Sequence, residues 1–134
     1  MGNIRTKYKG AYGLEKHETY MAIHYACMYD KWKRQYNEMD TCIKGISYDE
    51  KIGTAAGDPT FTLAERRVEL SRKITIIEAA ARLTSKKYYD FILKALTAEN
   101  SSLDYVRLHY DMPCGKNTFY VLRRKFYYLL ARMI

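Results

Sequence analysis

A chain of 134 residues with 48% hydrophobic and 28% charged side chains has the balance of a globular domain, long enough to bury a core, which argues against intrinsic disorder. Its formal net charge of +8 favours nucleic acid or another acidic partner. No run of about eighteen apolar residues marks a membrane span, and three cysteines as widely spaced as Cys27, Cys42 and Cys114 fit reduced thiols better than a disulfide scaffold.

The opening MGNIRTKYKGAYG has no apolar signal-peptide region, so a cytoplasmic protein is expected. Met1, Gly2 and Thr6 match the loose myristoylation pattern, but no palmitoylatable cysteine or dense basic cluster stands beside them, and no membrane attachment is expected. Residues 14–46 read as one long helix, because Met21, Tyr25, Met28, Trp32, Tyr36, Met39, Ile43 and Ile46 recur three and four apart. So long a seam serves a packed helical hairpin. Alternatively Met21, Tyr25, Met28, Trp32, Tyr36 and Met39 form an interface with a second copy or another protein, with Lys31, Lys33, Arg34 and Lys44 outside. Trp32, the single tryptophan, anchors a core or an interface in either case.

Residues 47–61 contain Gly53, Gly57 and Asp58-Pro59 and are expected to be the main loop. Thr62 stands three residues before Glu65, the spacing of a capping box, so a second helix should begin there. Its apolar positions are Leu63, Leu70, Ile74, Ile77 and Ala81, and the heptad spacing of Leu63, Leu70 and Ile77 suits antiparallel packing along the first helix. After Thr84-Ser85, either of which can cap, residues 86–98 place Tyr88, Ile92, Leu93 and Leu96 on a helical face. Residues 99–102 are a polar break. Residues 103–110 form a short helix started by Ser102 and stopped by Met112-Pro113, since proline biases its predecessor away from helix.

Cys114-Gly115 completes a turn, and the last helix follows. Phe119, Leu122, Phe126, Leu129, Leu130 and Met133 form its core-facing stripe; Asn117, Tyr120, Val121, Arg124 and Tyr128 occupy the other side, flanked by Lys116, Lys125 and Arg132. No carboxylate side chain occurs from Gly115 onward. Such a helix suits a polyanion, and the layout from residue 86 is that of a helix-turn-helix. The expected fold is therefore all-α, with a long N-terminal helical hairpin over residues 1–83 and a three-helix helix-turn-helix domain over 84–134.

A helix in the major groove reads base edges from its N-terminal half, which selects Lys116, Asn117, Thr118, Tyr120, Val121 and Arg124; Lys125, Tyr128 and Arg132 are placed for phosphates. Arg123 lies nearer the core edge and reads as a structural partner. The plainer alternative is a solvated amphipathic helix whose cations complement its dipole. His24 with Cys27, and His109 with Cys114, lack the tight ligand pairs of a zinc site, so neither metal nor cofactor is expected. No nucleophile motif, Walker loop or dinucleotide glycine signature points to an enzyme.

Two stretches carry a family resemblance. Asp58-Pro59-Thr60 followed by Arg66, Arg67, Leu70, Lys73, Ile74, Ile77 and Glu78, and Met112-Pro113-Cys114 through Phe119-Tyr120 to Arg123-Arg124-Lys125-Phe126, resemble the phage-encoded transcriptional regulators of the RinA and ArpU type. The C-terminal part of that family looks like the sigma-factor region 4 that reads promoter DNA. The resemblance implies a nucleoid-associated protein of a bacterial host that binds double-stranded DNA and controls phage late genes. No segment matches an RNA-polymerase contact, so activation and repression stay open. The competing expectation is an effector that grips a host protein, such as RNA polymerase or an RNA-guided nuclease, through the N-terminal helices.

Overall fold

The computed structural model describes residues 14–49 and 59–134, and among these the regular secondary structure is all helix. The helices are α1 (Lys16–Cys27), α2 (Tyr29–Asp49), α3 (Pro59–Thr84), α4 (Tyr89–Ala95), α5 (Leu103–His109) and α6 (Lys116–Met133). The expected all-α class is thus met. Met1, Gly2 and Thr6, the loop residues Gly53, Gly57 and Asp58, and the side chains of Cys42, Ile43, Lys44 and Ile46 lie outside the described residues. Proximity in space defines two compact units, one of residues 14–29 with Ile76–Ile134 and one of Asp30–Thr75.

The single long helix expected over residues 14–46 is broken at Met28. There the backbone N–H bonds the Tyr25 carbonyl three residues back, at 3.2 Å, a tightened turn between α1 and α2. Glu18 accepts a hydrogen bond from the Glu15 backbone N–H at 3.1 Å and secures the start of α1. The buried side chains of α1 are Thr19, Ala22 and Ala26 and, just beyond it, Tyr29. Met21 is 60% exposed, while Tyr25 and Met28 are half-buried. Small residues let α1 pack closely on α6, so the packed seam before Trp32 runs through alanine and threonine instead of the larger side chains.

The expected loop over residues 47–61 is shorter at both ends, because α2 continues to Asp49 and α3 begins at Pro59. Proline is suited to a first helical position, since its fixed φ already matches the helix and its missing N–H has no partner there. In the unit Asp30–Thr75, Trp32, Leu70 and Ile74 are buried, and Leu63 is half-buried. Lys73 Nζ lies 5.0 Å from the Trp32 ring centre and the Arg67 guanidinium 4.5 Å from that of Tyr36.

In the other unit, Ile77, Ala80 and Ala81 of α3, Ile92, Ala95 and Leu96 on and after α4, Val106 of α5, and Phe119, Phe126 and Leu130 of α6 are fully buried. Each large side chain among them contributes on the order of 1.5–3 kcal/mol by leaving water. Tyr29 donates to Glu78 Oε2 at 2.6 Å. Helix α4 is shorter than the sequence span 86–98. Ser85 Oγ accepts from the Tyr88 N–H at 3.2 Å and holds a turn ahead of it, and the Thr97 hydroxyl takes the Leu93 carbonyl that a continuing helix would use. Ser102 caps α5 by accepting from the Tyr105 N–H at 3.3 Å, as its position predicts.

Candidate nucleic-acid interface

Helix α6 is anchored before it is displayed. Phe119, Leu122, Phe126 and Leu130 bury its apolar stripe, as the spacing predicts, while Leu129 is half-buried and Met133 is exposed. Two polar side chains add register. The Tyr127 hydroxyl donates to the Leu96 carbonyl at 3.2 Å and pairs with Ser101 Oγ at 3.1 Å. One turn earlier, Arg123 Nη1 donates to the Ser101 carbonyl at 3.0 Å and the guanidinium lies over the rings of Phe119 and Tyr120. The connection between α4 and α5 is thereby clamped to the middle of α6, and Arg123 is engaged by its own chain.

The opposite side of α6 presents the residues expected to meet DNA. At 100° per residue, positions 117, 121, 124, 128 and 132 fall within an arc of about 80°. Lys116, Asn117 and Thr118 are exposed in the first turn and Val121 is exposed one turn on; Tyr120, Arg124, Lys125 and Tyr128 are half-buried. Arg132 is exposed and lies 5.6 Å from the Tyr128 ring centre. All nine side chains therefore share one helix, and those at the arc's centre share one face.

The start of α6 is also receptive. Gly115 is its N-cap and makes no side-chain cap, and the first turn carries no acidic residue. Its leading backbone N–H groups and the positive end of the helix dipole thus stand beside Lys116, a setting that favours phosphate. Burial pushes the Cys114 thiol above its ordinary range. The Cys27 thiol is raised by burial and then by Glu99, and donates to the Ala98 carbonyl at 3.6 Å. Both remain thiols at neutral pH, which fits packing instead of nucleophilic chemistry.

The residues marked for a dimer or partner interface divide between the two units. Met21, Tyr25 and Met28 belong to one; in the other, Trp32 is 9% exposed beneath Lys73, and Tyr36 and Met39 are half-buried. Among the described residues no group of three or more His, Cys, Asp or Glu side chains is placed to hold a metal ion. None of the described helices is long and apolar enough to cross a membrane.

Sequence reasoning missed Tyr127 and Ser101 as the supports of this face. Tyrosine fits an apolar stripe and a polar face equally well, and the usable signal was Tyr127's position four residues after Arg123. No family model, curated protein or solved structure matches the chain.

Proposed function

We propose that this chain is a sequence-reading DNA-binding transcriptional regulator that lays α6 in the major groove, with α4, α5 and α6 as its helix-turn-helix. The observation that carries the reading is the two-sidedness of α6: four large apolar side chains are buried on one side, and the other holds Asn117, Val121, Arg124, Tyr128 and Arg132 with no carboxylate anywhere on the helix. Asn can pair with adenine, Arg with guanine, and Val or Thr can touch the thymine methyl. Charge partition adds support. Among the described residues, 14–29 with Ile76–Ile134 hold eleven Lys and Arg against seven Asp and Glu, a net +4, and 30–49 with 59–75 hold eight against six, a net +2. Helix α6 alone holds five of these cations and no Asp or Glu, an electrostatic footprint that suits a polyanion.

The other unit is proposed as a helical hairpin. Trp32 meets Lys73 and Tyr36 meets Arg67, so partner numbers fall along α3 as they rise along α2, the order of antiparallel helices. A phage or mobile-element origin, and control of late genes, rest on the resemblance of the residues from Asp58 to Phe126. An effector role in which Trp32 anchors a host protein draws less support, because that side chain is already covered by its own chain.

Two substitutions test the reading. Arg124→Ala should weaken binding to a duplex selected from a randomised pool by about 1–3 kcal/mol and relax preference at one base pair, whereas Lys125→Ala should weaken every sequence alike. Titration by fluorescence anisotropy against matched and base-substituted duplexes separates these outcomes. Unchanged binding by both variants would remove α6 as the reading element.

A further inference from the structure

We propose that the corner between α3 and α4 is a second DNA contact, one that grips the phosphate backbone beside the groove that α6 enters; the proposal deepens the reading above and rests on it. Arg82, Lys86 and Lys87 are exposed within eight residues of one another, and no carboxylate occurs between Glu78 and Asp90. Two of these cations are held over aromatic faces. The Arg82 guanidinium lies 4.9 Å from the Tyr89 ring centre, with Nη2 3.5 Å from its hydroxyl, and Lys87 Nζ lies 5.2 Å from the Tyr88 ring centre. Stacking limits the freedom of these long side chains while their N–H groups still face water, which lowers the entropy lost on meeting a phosphate. The turn beneath them is fixed by the bond from the Tyr88 N–H to Ser85 Oγ at 3.2 Å. Glu78, the carboxylate that precedes the cluster, accepts from Tyr29.

The corner's place relative to α6 gives it this role. Phe91 and Phe119 meet edge to face at 6.3 Å, and each lies in the first turn of its helix. Tyr88 precedes Phe91 and Lys116 precedes Phe119 by three residues, about 4.5 Å of helix rise in each case. The starts of α4 and α6 are therefore pinned together by this ring contact. With the start of α6 in the groove, a flanking phosphate strand comes within reach of the corner. Phosphate contacts there fix register and strengthen binding without choosing sequence.

The test uses the full chain carrying Lys86→Ala and Lys87→Ala together, titrated over a salt series against a random-sequence duplex and a pool-selected one. Affinity should fall by the same factor on both duplexes, the preference between them should be kept, and the slope of log affinity against log salt should become shallower by about 2. Thermal unfolding should be unchanged, because both side chains are exposed. A wild-type slope in this variant and in Lys86→Glu/Lys87→Glu, alongside weakened binding by Arg124→Ala, overturns the corner contact and leaves the α6 reading standing. Loss of the preference between duplexes overturns the phosphate role. Failure of the unaltered protein to bind either duplex overturns both proposals.

Discussion

Tyr127 is 1% exposed, and its hydroxyl sits between the Leu96 carbonyl and Ser101 Oγ, so one side chain supplies apolar packing and two polar ties at the back of α6. Removing only the oxygen isolates the polar part. Tyr127→Phe leaves the ring in place but strips a buried carbonyl of its donor, and it should cost about 1–2 kcal/mol in urea unfolding with little change in the slope of the transition. Unaltered stability would mean that water replaces the hydroxyl without loss. Arg123 works on the same segment through the Ser101 carbonyl, which explains why a cation in the middle of a proposed reading helix faces its own chain. This division of labour between Arg123 and Arg124 was legible from helical phase. The part played by Tyr127 was not, because its ring and its hydroxyl point to opposite environments and only the neighbouring carbonyls decide between them.

The helices themselves were most legible where large apolar side chains do the packing. Leu70, Ile74 and Ile77 of α3 and Phe119, Leu122, Phe126 and Leu130 of α6 are buried at the spacing the sequence displays. The reading failed where small residues pack. Thr19, Ala22 and Ala26 give a weak hydrophobic signal yet form the seam of α1, and Met21 on its other side is exposed. Of the expected seam from Trp32 onward, Trp32 is buried and Tyr36 and Met39 are half-buried, and the side chains of Ile43 and Ile46 lie outside the described residues. Helix ends followed local chemistry: Ser102 capped as expected, whereas Pro59 opened α3 ahead of Thr62. The start of α6 allows a prediction of its own. Gly115 has φ −78° and ψ 173°, and an added Cβ there would meet nothing within 4 Å, so the position does not require glycine. Gly115→Asp should provide an N-cap and a favourable dipole interaction, stabilising the fold by roughly 0.5 kcal/mol while weakening DNA binding through repulsion of phosphate. Thermal melting and anisotropy on the same sample check the two signs, and tighter DNA binding would contradict the placement of phosphate at this helix start.

At the scale of the whole molecule, the organising fact is the uneven distribution of charge. Helix α6 carries five Lys and Arg with no Asp or Glu, whereas the described residues 30–49 with 59–75 mix eight Lys and Arg with six Asp and Glu. A solvated amphipathic helix would explain the apolar stripe alone. It does not explain the exclusion of carboxylates from α6, the uncapped helix start, or the stacked cations at the α3–α4 corner pinned beside it. The helical class was legible from periodicity, but the grouping of α1 with the C-terminal helices was not, because it depends on contacts between segments far apart in sequence.

The most direct measurement is selection of duplexes from a randomised DNA pool by the full chain at moderate salt, followed by titration of the enriched sequence against a scrambled competitor. A defined motif should be enriched and bound on the order of 1,000-fold or more tightly than the competitor, with the preference surviving as salt rises. Recovery of no motif, with weak binding erased by salt on every sequence alike, would contradict the claim that α6 reads DNA.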